Sequence, residues 1–158
     1  HPNALIVGER YLMHDHPQVV LEAARPYIDV LSSQPGHDLF EEEYFDALYA
    51  SYGKPIIICD HQCSFPTPEY SETMWKQLES ESAVAEMYRK YVAAVVAKPY
   101  IIGYHRCQYI DRYNEYPGVL KQGILREDGS AYKVLEAAIT AANASALETF
   151  ADGIKSTN

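Results

Sequence analysis

The stretch Lys54–Phe65, KPIIICDHQCSF, decides the fold. Lys54 and Pro55 lead into Ile56, Ile57 and Ile58, and the chain then switches abruptly to Cys59, Asp60, His61 and Gln62. Three consecutive β-branched residues without polar alternation describe a strand buried on both faces, and so short a run favours a parallel strand over a piece of helix. Asp60 and His61 then stand at its C-terminal end. Parallel α/β folds build their chemistry there, from strand tips and the loops that follow.

Outward from this strand the same order repeats. Leu5–Gly8 reads as a first strand ending in Glu9, Arg10 and Tyr11, and the Val19, Val20, Ala23, Ala24 stripe gives a helix over Pro17–Arg25. Tyr27–Leu31 reads as a second strand, followed by Ser32, Ser33, Gln34 and a Pro-Gly turn, with a helix over Glu41–Tyr52. After the third strand a polar loop containing Pro66 and Pro68 is long enough to cover a site. A helix from about Ser71 to Ala97 follows, carrying Met74, Leu78, Val84, Met87, Tyr91 and Val95. Tyr100–His105 is the fourth strand, and Ala131–Phe150 the last helix. Four βα units imply an α/β fold with a parallel sheet, because each crossover helix returns the chain in the same direction. Eight such units close a barrel of about 250 residues, so four in this chain read as half of one.

Composition bounds the rest. With 158 residues, 47% of them hydrophobic, and no linker rich in Gly, Ser or Pro, one core is expected over 1–150, with 151–158 a flexible tail. The net charge of −9 and the lack of any Lys/Arg cluster argue against nucleic acid as a partner. The longest apolar runs are far short of a membrane span, and His1 opens the chain without a charged-then-apolar leader, which leaves the compartment undecided. Cys59, Cys63 and Cys107 all lie beside strand ends and read as thiols near a site rather than a disulfide framework, although one bridge stays open. His14-Asp15-His16, and Asp60-His61 with His105, contain metal-ligating types, but neither set has the helical i, i+4 spacing of a hydrolase zinc site, and no metal is expected. No Gly-rich phosphate loop and no Gly-x-Ser-x-Gly elbow follows a strand, so no cofactor is expected either.

The succession LIVGERY, YIDVLSSQ, GKPIIICDHQCSF, IIGYHRCQYIDR and GILREDGSAY resembles the fifth to eighth βα units of clan A retaining glycoside hydrolases, particularly β-agarases and β-galactosidase-like enzymes. The resemblance implies a (β/α)8 barrel, hydrolysis of a galactose-containing polysaccharide, a secreted or periplasmic setting, and a site at the strand tips. Carried over by position, the nucleophile falls on Asp60, where the family has Glu. A retaining site holds its two carboxyl groups about 5–5.5 Å apart, so one missing methylene matters unless the backbone shifts to compensate. The family's acid/base sits on the fourth strand, expected before this chain's first. Arg106 stands where Trp is usual and Gln34 where Asn is usual, while Gln108, Tyr109 and Asp111 match.

Each residue also has a plainer reading. Asp60 at a strand end either acts in chemistry or accepts hydrogen bonds from its surroundings, and the cost of a charge there favours function. Glu9 and Arg10 are ligands for sugar hydroxyls or an internal ion pair. His61, His105, Gln108 and Asp111 either position hydroxyls or serve the fold. Tyr11, Tyr104 and Tyr109 are candidates for a platform on which pyranose rings stack. Three functions follow: a glycoside hydrolase domain incomplete on its own, a non-catalytic carbohydrate binder, or a structural half-barrel. An open sheet with two bare edges makes a homodimer, or association with a missing N-terminal half, the expected assembly.

Overall fold

A computed structural model of the chain describes residues 3–13, 16–73, 76–112 and 121–156, with side chains through Ala151. The elements alternate as expected: β1 (Arg10–Leu12), α1 (Gln18–Ala24), β2 (Leu31–Gln34), α2 (Glu42–Tyr52), β3 (Ile56–His61), α3 (Glu81–Val96), β4 (Ile101–Arg106) and α4 (Lys133–Ser156). The strands form one parallel sheet in the order β1-β2-β3-β4. Sequential order without reversal means every crossover runs the same way round, so the helices collect on one face. A single core joins Leu21 of α1, Phe45 of α2, Ile56 and Ile58 of β3, Tyr91 of α3 and Leu135 of α4. This is an α/β fold of βα repeats, of the kind found in half a barrel.

Local chemistry sets the boundaries, and it moves three of them from the sequence-based expectation. The first strand is not Leu5–Gly8 but Arg10–Leu12. Gly8 adopts φ +73°, and a Cβ there would stand 2.9 Å from Ile28 Cγ2, so the extended run turns before the ladder begins. The segment before it is held instead by Ile6, whose carbonyl accepts from Asp29 N–H and whose N–H donates to the Asp29 carboxylate. The second strand likewise starts at Leu31 and takes in Ser32, Ser33 and Gln34, all buried. Ser32 Oγ donates to Cys59 Sγ across the sheet. The helix expected from Ser71 begins only at Glu81, because Ser80 is an N-cap whose Oγ accepts from Ala83 N–H. Leu78 belongs to a short parallel bridge beside Ser64, where Ser64 N–H donates to Lys76 O and Leu78 N–H to Ser64 O. Met74 lies outside the described residues.

The helices are set by ordinary rules. α2 ends at Gly53, φ +71°, whose N–H returns to Tyr49 O. α3 presents Val84, Met87, Tyr88, Tyr91, Val92 and Val95 as one buried stripe. α4 takes its first-turn partner from α3: Glu81 Oε1 accepts from both Val134 N–H (2.8 Å) and Leu135 N–H (3.0 Å). It then runs on past Phe150 to Ser156. No described helix is long and apolar enough to cross a membrane.

Candidate functional site

Pairing fixes which side chains share a face. Arg10 stands beside Ser32, and Leu12 beside Gln34. Ser32 reaches Cys59, so these residues line the face away from the helices. Ile56, Ile58 and Tyr104 point the other way into the core, and Ile58 pairs with Tyr104. Alternation then breaks, with an irregular register between Ile58 and His61, and Asp60 adopts φ 56°. That left-handed conformation is one Asp tolerates better than most residues. It puts two successive side chains to different uses.

Asp60 turns to the open face. Its side chain is 21% exposed, and Oδ2 accepts from Arg10 Nη1 at 2.7 Å, reaching across β2. On the other side stands the Cys107 thiol, whose pKa is pushed up to about 11 by burial and then by its hydrogen bond to Asp60. The protonated thiol therefore donates to the carboxylate. Cys107 Sγ in turn accepts from Gln122 Nε2 at 3.3 Å, and the same amide donates to Gln62 Oε1 at 2.5 Å. Asp60 is thus clamped between a guanidinium from β1 and a thiol following β4.

His61 turns inward and is completely buried. Nε2 lies 2.9 Å from His37 O and Nδ1 2.8 Å from Tyr104 Oη, while the ring stacks on Tyr91 at 3.8 Å. One neutral tautomer satisfies both bonds: Nε2–H donates to the carbonyl, and Nδ1 accepts the tyrosine hydroxyl. Desolvation accordingly lowers its pKa to about 4. Both ring nitrogens are paired within the protein and the ring is fully buried, a placement that fits a structural role better than the expected contact with a sugar hydroxyl. Its separation from Asp60 also dissolves the Asp60-His61-His105 grouping. Among the described residues no cluster of three His, Cys, Asp or Glu side chains has metal-binding geometry, and His14 and Asp15 lie outside them.

The remaining candidates divide in the same way. Gln34 lines a pocket of about 380 Å³ at the tips of β1, β2 and β3, with Leu12, Met13, Pro35, Gly36, Gln62 and Lys76. Glu9 is exposed beside Arg10. Of the platform candidates, Tyr11 is buried against His16, and Tyr104 is half-buried and packs on His61 and Tyr88. Tyr109 is exposed. Gln108 Oε1 accepts from Arg112 Nε. Asp111 is buried, accepting from Gly123 N–H and Tyr132 Oη at 2.7 Å each, and its position fits an anchor for the final loop rather than a sugar ligand. His105 is exposed and lines a separate groove with Leu147 and Phe150. The loop after β3 is no free lid at its start, since Cys63, Ser64 and Phe65 are buried and Ser64 Oγ donates to Lys121 O.

This arrangement of four βα units superposes over 94% of its length on an exo-β-agarase, with TM-score 0.81 and 26% identity, and on the agarase AgWH50C, with TM-score 0.83 and 23% identity. The fold is glycoside hydrolase-like. A GH2 β-galacturonidase from Eisenbergiella tayi matches 76% of this glycoside hydrolase-like chain, with TM-score 0.55 and 19% identity. The chain spans 21%, 23% and 24% of the length of these three proteins. No family model matches it, and no curated protein sequence does.

Gln122, Gln62 and Lys76 join the site without having been singled out for it, and Cys107 joins it as one of the thiols expected near a site. Gln62 is two residues beyond Asp60, and Cys107 closes the fourth strand, so both had a positional signal. Gln122 and Lys76 had none.

Proposed function

We propose that this chain is the strand-tip portion of a glycoside hydrolase acting on a galactose-containing polysaccharide, with Asp60 as the carboxylate at the nucleophile position. The observation that carries this reading is the placement of Asp60. A kinked strand end presents its carboxylate to the open face, and Arg10 and Cys107 fix its direction. The change in backbone path at Asp60 is also the kind of shift that a shorter side chain needs to reach a substrate. In the retaining reaction the carboxylate attacks the anomeric carbon while a second carboxylic acid protonates the leaving oxygen, and water later releases the sugar with that acid acting as base. Arg10 positions Asp60, and Gln34 and Gln62 contribute polar contacts to the sugar.

The acid is proposed to come from strands outside these four units, in the remainder of a (β/α)8 barrel for which residues 1–150 form one half. Support comes from the two open sheet edges and from the exposed apolar residues along them, Leu12 and Met13 on one side and Ile102 on the other. A non-catalytic binder is the second reading, favoured by Asp60 being one methylene shorter than the usual Glu.

Hydrolysis of agarose, porphyran and aryl β-galactosides, with and without Asp60→Asn, tests the proposal. Cutting that Asp60→Asn abolishes supports Asp60 as nucleophile. Binding without cutting, unchanged by Asp60→Glu, supports the binder. Neither binding nor cutting of any galactan refutes both.

A further inference from the structure

We infer that the groove on the helix side of β4, walled by α3 and α4, binds a monocarboxylate carrying a hydrocarbon chain, with the Arg106 guanidinium taking the carboxylate. The inference goes beyond the carbohydrate reading and does not depend on it, because Asp60 turns to the opposite, open face of the sheet.

Arg106 closes β4 and is half-buried. Its Nη2 donates to the carbonyls of Gln122 at 2.9 Å and Cys63 at 3.4 Å, while Nε and Nη1 are buried and have no partner among the described residues. Unpaired buried atoms occur elsewhere in the fold, but those of Tyr52 and Tyr91 are neutral hydroxyls packed in the core. Lys121 Nζ, also unpaired, stands 3.3 Å from the centre of the Phe65 ring, which serves it as a cation–π partner. Arg106 has no such substitute, since the nearest ring it faces, that of Tyr88, is 6.0 Å away, at the limit of such a contact. Desolvation raises the Tyr88 pKa further, so this neighbour stays a neutral phenol and supplies no anion. Two donors of one cation are therefore left unspent at the wall of a cavity, and unsatisfied charged groups are costlier than neutral ones.

The cavity is about 550 Å³, within the range of small-molecule sites. Val92, Val95 and Ile139 form its buried apolar floor, and Leu147 and Phe150 of α4 form a rim that is 71% and 38% exposed. Large apolar side chains exposed beside an apolar groove mark a surface that another apolar group covers. Asn143 adds one polar group: its Oδ1 accepts from Tyr88 Oη at 2.8 Å, which leaves its amide hydrogens for a second acceptor. A sugar, with hydroxyls around its whole edge, would leave most of them unpaired against such a floor. A chain that is apolar except for one anionic head satisfies both the floor and the guanidinium.

Calorimetric titration of the protein with decanoate, octanoate and 1-decanol at neutral pH, beside sedimentation velocity, tests this. Decanoate is expected to bind saturably, octanoate roughly tenfold more weakly for its shorter chain, and decanol roughly tenfold more weakly for want of the charge. Arg106→Gln is expected to lower decanoate affinity about tenfold and to leave decanol unchanged. Because Arg106 also holds the Cys63 and Gln122 carbonyls, Leu147→Glu is the second variant. It puts a like charge on the exposed rim, and is expected to leave Tm within about 2 °C while weakening decanoate about fivefold. No saturable binding of decanoate overturns the inference. Equal affinity for decanoate and decanol, or unchanged decanoate binding by Leu147→Glu, overturns it too. A dimer that Leu147→Glu dissociates, in a protein that does not bind decanoate, assigns the groove to a second copy and likewise overturns it.

Discussion

Protonating His61 should destabilise this domain as the pH falls from neutral toward 4. The ring is completely buried between Tyr91, Tyr104 and the His37 carbonyl, and its pKa falls from 6.5 to about 4, chiefly through desolvation. The unfolded chain takes up its proton near 6.5 and the folded chain only near 4, so across that window the unfolded state binds more protons. Stability from this residue is complete above pH 6.5, is lost as pH falls toward 4, and changes little below that. With those two values the linkage relation gives a loss of about 2 kcal/mol between pH 7 and 5, and about 3 kcal/mol between pH 7 and 4. Urea unfolding followed by circular dichroism at pH 7, 6, 5 and 4 measures it, with His61→Gln as the control. The variant should be less stable at pH 7, by about 1 kcal/mol from the lost stacking on Tyr91, but its stability should fall about 2 kcal/mol less on acidification to pH 5. Nitrogen chemical shifts of the imidazole should show a proton on Nε2 and none on Nδ1 down to about pH 5. An equal acid slope in protein and variant, or a His61 titration near 6.5, would refute the reasoning.

Two further substitutions test how the elements are joined. Glu81→Ala removes the acceptor for two first-turn amides of α4, those of Val134 and Leu135, and should cost about 1–2 kcal/mol in urea unfolding, with Glu81→Gln recovering part of it. Gly123→Ala should destabilise by about 3 kcal/mol, since its Cβ would meet Asp111 N at 2.4 Å and Leu125 O at 2.6 Å, both backbone atoms that cannot rotate away. Gly129→Ala is the matched comparison: with φ +84° and nothing within 4 Å of the added carbon, it should cost only about 1 kcal/mol.

The alternation of strands and helices is legible in the sequence because the Ile56–Ile58 run and the α3 stripe are apolar at the spacing their structures demand. β2 is harder to see, since Ser32, Ser33 and Gln34 are polar residues in a buried strand, and their burial follows from neighbours that lie distant in sequence. Ser80 marks the true start of α3 by its own chemistry, yet the apolar Leu78 before it mimics a longer helix. At the site, Asp60 is visible as a strand-end residue and Gln34 as a polar group closing β2, whereas Arg10, expected after the first strand, opens β1 instead. That adjacent Asp60 and His61 part company is not visible, because it depends on a left-handed residue at a register break. Asp111 and Tyr104 carry no mark in the sequence that separates a packed anchor from a ligand. Only the partners Gly123, Tyr132 and His61, brought close by the fold, decide it.

The most direct test of the proposed site is the map of amide and side-chain chemical shifts on adding agarotetraose. The site described here predicts saturable changes at Arg10, Gln34, Asp60 and Gln62, on the face away from the helices. Changes confined to the groove between α3 and α4, around Val92, Val96 and Ala142, or no saturable change with any galactan oligosaccharide, would contradict it.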